Sequence, residues 1–301
     1  MGWSTHRAVR GGAAGAVALL VAALAGCSTS STAGGAAASG SDASVSPGIA
    51  IVTGAALLDR DAATITWPLD QYEMADRGKQ LVMAAQSVIM AQCLTGSSAL
   101  PAMTAQQVRS YLQTAPEVER WQLGYWDATY IAQHGLGFGS SGGLPELAPG
   151  ASKDQTEACY QQVEDAGLDA NLGADSADGY DVASRGMSQA MDQALEDPAF
   201  KAGAAQKNAC IAKAGYPADP DNPFGGVFAD PSWSQEQLTK ATVADANCAD
   251  QLGFMQQAAD IVAAYQQRYL DAHEAELVAL SQEATNRVAK ATQVLQDAGV
   301  M

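Results

Sequence analysis

The chain has 301 residues, with 33 acidic against 16 basic side chains and a formal net charge of −17. Such a field repels duplex DNA, RNA and anionic headgroups, so no nucleic-acid partner is expected. Acidity is also the usual route to a well-solvated surface, and it is read here as that and not as a cation store.

At the N-terminus His6, Arg7 and Arg10 precede an apolar run from Gly11 to Ala25 that closes in Leu24-Ala25-Gly26-Cys27. A basic start, an apolar stretch too short to span a bilayer comfortably, and small residues before a single cysteine make a lipoprotein signal. Residues 1–27 are therefore read as signal peptide and lipobox, with Cys27 as the lipid attachment site and first residue of the mature chain. Ala23-Leu24-Ala25 also fits ordinary secretory cleavage, but the cysteine stands where a lipobox needs it. Residues 28–47 form a Ser/Gly/Ala/Thr tether whose r.m.s. reach is roughly 25 Å. Two acyl chains give stable anchoring, so the chain is expected in the cell membrane, lipid-anchored on its extracytoplasmic face. Without Arg7 and Arg10 the mature chain keeps 33 acidic against 14 basic residues, a net charge of −19.

Residues 48–301 are enough for a sizeable core. Residues 49–52 and 64–67 are short β-branched stretches that could pair or merely lie across the bundle. Between about 73 and 94, Met74, Gly78, Leu81, Ala85, Val88 and Cys93 fall close to helical spacing. Thr104/Gln107, Ser152/Gln155 and Ser234/Gln237 each read as a capping box ahead of a helix-favouring run. Asp197-Pro198 places a cap before a first-turn proline, and Gly215 with Tyr216-Pro217 stops that helix. Residues 135–150 and 216–231 are long Gly/Pro-rich connections. Beyond Gly253 neither proline nor glycine occurs before Gly299, and Val262, Tyr265, Tyr269, Leu277, Leu280, Ala284, Val288, Ala291 and Leu295 recur mostly at threes and fours. That predicts one helix of about forty residues, or two joined by a kink, packed against shorter helices. The fold class expected is mainly α: a helical bundle with a long C-terminal helix, long Gly/Pro-rich loops and at most a minor β element.

With Cys27 taken by lipid, Cys93, Cys159, Cys210 and Cys248 remain, an even number in an exported segment, which predicts two disulfides. Cys210 lies near the end of the helix opened by Asp197-Pro198. Cys248 lies near the middle of the run starting at Ser234, and the Pro/Gly-rich connection between them can lay the two helices antiparallel. Cys93 ends the first long helix and Cys159 sits in the second turn after the Ser152 cap. The pairing expected is Cys93 with Cys159 and Cys210 with Cys248.

Trp67-Pro68-Leu69-Asp70-Gln71-Tyr72 before a helix ending at Cys93, then Ala209-Cys210-Ile211 with Gly215-Tyr216, then Val243-Ala244-Asp245-Ala246-Asn247-Cys248 leading into a Gln/Glu-rich helix, form a recurring set. In these the chain resembles, over about residues 64–297, a group of uncharacterised lipoproteins of high-GC Gram-positive bacteria. The resemblance implies no activity and no catalytic residue.

Motifs of chemistry mostly dissolve. Gly139-Ser140-Ser141-Gly142-Gly143 matches G-x-S-x-G, and Gly137 to Gly142 fits G-x-G-x-x-G, but neither has the strand before and helix after that give those patterns meaning. Residues 175–181 have the look of a calcium loop, yet with Gly179 as sixth position Ala174 and Arg185 stand where carboxylates are required. Asp219, Asp221 and Asn222 read as turn residues. His134 and His273 are the mature chain's histidines, and His273, beside Glu274 and Glu276, reads as a solvated helix residue. No catalytic, cofactor-binding or metal site is assigned, and no cofactor.

Two features point to function. Trp121, Tyr125, Trp126 and Tyr130 form two i,i+4 pairs if that segment is helical, either a platform for sugars or part of the core. Asp245, one turn before Cys248 on a partly buried helix, needs a partner such as Lys213 or a backbone cap. The expectation is a membrane-anchored, non-catalytic binding or scaffolding module with an envelope protein or glycan as partner. The alternatives are a cell-envelope hydrolase using paired carboxylates on peptidoglycan or glycan, and a ligand-binding lipoprotein of a transporter. The second lacks the usual βα alternation.

Overall fold

The computed structural model describes residues 49–96, 98, 101–114, 122–136, 151–169 and 181–301. All of these belong to one compact unit, Pro47–Met301. Cys27, the tether, Trp121, the loop holding Ser141 and residues 175–180 lie outside the described residues.

An uninterrupted run between Gly253 and Gly299 becomes the longest element, α8 (Phe254–Asp297, 44 residues). It kinks at His273, whose φ of −126° and ψ of 19° leave the helical region. The stripe read from the sequence faces inward: Val262, Leu277, Leu280, Ala284, Ala291 and Leu295 are buried, and Tyr265, Tyr269 and Val288 pack at its edge. Seven shorter helices surround it among the described residues: α1 (Asp76–Thr95), α2 (Ala102–Gln113), α3 (Ala128–His134), α4 (Lys153–Asp165), α5 (Val182–Glu196), α6 (Pro198–Lys213) and α7 (Gln235–Gln251). The chain is mainly α. No helix among the described residues is long and apolar enough to cross a membrane.

Capping explains several boundaries. Ser152 with Gln155 and Ser234 with Gln237 form complete capping boxes, and Asp197 caps α6 with Pro198 in its first turn. Gly215, at φ +90°, ends α6 as expected. Thr104 is no cap. Pro101, which has no N–H to satisfy, stands at the N-cap of α2, so the helix starts at Ala102 and Thr104 falls inside its first turn.

The β element differs from the reading of residues 49–52. Strand β1 (Leu57–Asp59) pairs antiparallel with β2 (Thr64–Thr66), Leu57 opposite Thr66. Asp59 Oδ1 accepts the Ala62 N–H at 2.9 Å and Ala63 turns through φ +55°, closing a hairpin between neighbouring residues. Residues 49–52 are not strand. The chain just beyond them is instead tied to α8, where the buried Asp260 carboxylate accepts the N–H groups of Gly54 at 3.0 Å and Ala56 at 3.2 Å.

Along α8 the core falls into successive clusters. Before the kink, Phe254, Ile261 and Val262 pack with Ile65, Trp67, Trp126 and Phe200. Just past it, Leu277 and Leu280 meet Leu69 and Val182. Further on, Ala284, Ala291 and Leu295 meet Val82, Val88, Val108, Cys159 and Leu168. Backbones approach closely where α5 and α6 present glycine: a Cβ at Gly186 would stand 2.6 Å from the Tyr269 ring, and one at Gly203 2.6 Å from the Phe254 ring.

Candidate binding cleft

Both predicted disulfides are present. Cys93–Cys159 joins α1 to α4 with α-carbons 5.6 Å apart, and Cys210–Cys248 joins α6 to α7 at 5.8 Å. One part of the reading is corrected: α7 ends at Gln251, so Cys248 lies in its last turn and not near its middle. The bridge therefore ties the C-terminal ends of α6 and α7 together. A side-by-side antiparallel hairpin would instead set the end of one helix against the start of the other.

Asp245 has a partner, but not Lys213. Lys207, 1% exposed, places Nζ 2.8 Å from Asp245 Oδ1 and donates to the Gly225 carbonyl at 3.1 Å. Asp245 Oδ2 accepts the Val227 N–H at 3.1 Å, so the pair also fixes the connection between α6 and α7. Asp219 and Asn222 accept the N–H groups of Asp221 and Phe224, as turn residues do.

Among the described residues, Tyr125, Trp126 and Tyr130 do not form a platform. Residues 122–127 are not helical, which removes the i,i+4 geometry for Tyr125 and Trp126. Trp126 is 1% exposed in the first core cluster, Tyr125 packs beside Ile131 and Ala246, and Tyr130 packs against His134 with ring centres 4.4 Å apart and the rings tilted by 37°. Tyr130 borders a polar cavity of about 400 Å³ with Arg60, Asp127 and Gln133. Arg60 bridges Asp127 at 3.5 Å and Asp250 at 2.6 Å there.

The more apolar cavity, about 340 Å³, opens where α1, the start of α5 and the second half of α8 converge. Met74, Val82 and Leu280 make its floor and Met83 its open edge. Lys79 lies 3.5 Å from Glu73 and 3.7 Å from Asp76. Arg287, 7% exposed, reaches Asp169 Oδ1 at 2.8 Å and Glu283 at 2.9 Å, and donates to the Asp169 carbonyl. Asp181 caps α5 by accepting the Ser184 N–H at 2.7 Å. Beside this group, burial pushes the Asp70 carboxyl from its ordinary 3.8 up to about 6, opposed by the Trp67 N–H that Asp70 accepts at 2.7 Å and reinforced by Glu73.

Of the cleft residues the sequence singled out Met74 and Leu280 as members of helical stripes and Asp181 as the end of the calcium-like loop; the others, Lys79 and Arg287 included, carry no motif. His273 stacks on Tyr269 at 4.2 Å with Nδ1 3.6 Å from Glu276, and its side chain is 36% exposed. Neither a protein-family model, nor a curated protein, nor a solved structure matches this chain.

Proposed function

We propose that this chain is an extracytoplasmic lipoprotein, held on the cell membrane by acylated Cys27, whose helical domain is a non-catalytic binding or scaffolding module of the cell envelope. The pairing of cysteines carries this reading: Cys93–Cys159 and Cys210–Cys248 take four of the five, and the fifth is the cysteine that closes the apolar N-terminal run. Disulfides persist where the compartment is oxidising, and a single remaining cysteine behind small residues is the acyl acceptor such a compartment uses.

Binding is favoured over catalysis by the state of the cleft's charges. Lys79 and Arg287 are each held between two carboxylates, and Asp181 is engaged as a helix cap. Groups so held shape a surface and fix its field, which is what a binding site needs. An envelope protein or glycan is the partner class. Cys27→Ser tests the anchor: the wild type incorporates labelled palmitate and sediments with membranes, whereas the variant is unlabelled and is either released or left unprocessed. Equal labelling and retention of the variant would overturn the assignment.

A further inference from the structure

We infer that the cleft between α1, α5 and α8 takes an amphipathic organic cation, a protonated amine on an aliphatic body; this rests on the binding reading above and names the ligand class. Two features of the cavity point the same way. Its floor is aliphatic and thioether, from Met74, Val82 and Leu280, with Met83 48% exposed at the edge. Methionine's unbranched side chain adapts to apolar bodies of varied shape. At about 340 Å³ the space lies at the small end of ligand pockets, which suits a short aliphatic chain.

The charges decide the head group. Among the described residues, with Arg185 one turn along α5 from Asp181 and outside the lining, the cavity is lined by Glu73, Asp169 and Asp181 against Lys79 and Arg287, and Asp76 and Glu283 supply each of those two bases with a second carboxylate. Each base is already neutralised twice over, so an incoming anion would have to displace a carboxylate and would still face the rest. An ammonium group meets an excess of negative charge beside a low-dielectric floor, where the field is focused. Its hydrogen-bond donors find carboxylate oxygens without breaking either ion-paired cluster.

The test uses the full chain in phosphatidylcholine nanodiscs with ¹³C-methyl methionine, reading the Met74 and Met83 methyl resonances and using exposed Met103 and Met301 as controls for partitioning into lipid. Hexylammonium, hexanoate and hexanol are the probes. Hexylammonium is expected to shift Met74 and Met83 saturably, at least about fivefold more tightly than either other probe, from the excess of carboxylates over bases at partly screened distances. Glu73→Gln with Asp181→Asn, which keeps an amide oxygen for the α5 cap, should weaken hexylammonium about fivefold and leave hexanol unchanged. Equal affinity for hexylammonium and hexanol, or preference for hexanoate, would overturn the cation class while leaving an apolar binding cleft. No shift with any probe would overturn both this inference and the cleft's role in binding, and neither result bears on acylation of Cys27.

Discussion

Lys207 and Asp245 show what a buried charge requires. Each alone would be costly in an apolar interior, and together with the Gly225 carbonyl and Val227 N–H they satisfy one another. Lys207→Met should therefore destabilise the fold by about 3–5 kcal/mol, because it strands the carboxylate. Adding Asp245→Asn removes that charge and keeps an acceptor for Val227, so the double variant should recover most of the loss in urea unfolding. Additive losses would show that the pair is not coupled. Asp70 makes the converse case on a pH axis. Its folded value of about 6 lies above its ordinary 3.8, so the folded state favours the protonated form. That contribution is complete below about pH 3.8 and is lost as pH rises through about 6. The melting temperature of Asp70→Asn minus that of the wild type should grow between pH 4 and 7; a constant difference would contradict the burial of this carboxyl. Sequence spacing identified Asp245, one turn before Cys248 on a partly buried helix, as an acid in need of a partner but pointed to the wrong lysine. Lys207 is one lysine in an alanine-rich helix, and only the tertiary fold says which lysine turns inward.

At the scale of elements, what was legible depended on whether the signal was local. The boxes at Ser152 and Ser234 and the Asp197-Pro198 cap are satisfied within three residues of themselves, so the sequence contains their whole explanation. Asp197 also accepts the Tyr265 hydroxyl at 3.1 Å, tying α6 to α8 across 68 positions, and no local pattern announces that. Of the two β-branched stretches, 64–66 is a strand but its partner is Leu57–Asp59, while the chain just beyond 49–52 is attached through Gly54 and Ala56 to a carboxylate 206 and 204 positions away. The cleft was the least legible part, since it joins α1, Asp169, Asp181 and α8 with no spacing in common. Helix contact supplies an element-scale prediction. Alanine favours helix over glycine by about 1 kcal/mol, yet at Gly186 its methyl would press on the Tyr269 ring and Leu69 at 2.6 and 2.9 Å. Gly186→Ala should therefore destabilise by about 1–3 kcal/mol in denaturant unfolding, the cost of overpacking. Added stability would mean that α5 and α8 can separate without loss.

Across the whole molecule, α8 passes through three core clusters in turn, and the two disulfides staple different ones. Cys93–Cys159 lies with the helices that cover the second half of α8, Cys210–Cys248 with those that cover its start. The kink at His273 falls between Tyr265, in the first cluster, and Leu277, beyond it. Such an arrangement could unfold as two units or as one. Several ties favour one. The cluster of Leu277 and Leu280 shares Met187 with the first, α5 packs along α8, and the Gln266 side chain, fully buried, accepts the Leu69 N–H at 3.2 Å beside the junction. Trp67 and Trp126, both buried, lie in the first cluster, so in a mature chain carrying Trp121→Phe and Trp233→Phe the fluorescence reports on that part alone, while circular dichroism reports on all the helices. Cys93→Ser with Cys159→Ser opens a loop of 66 residues in the other part and should remove about 4 kcal/mol by the chain-entropy relation. In a cooperative molecule that loss lowers the tryptophan midpoint and the dichroism midpoint together. A tryptophan midpoint that stays in place while the dichroism splits into two transitions would show that α8 breaks at His273 into independently stable halves.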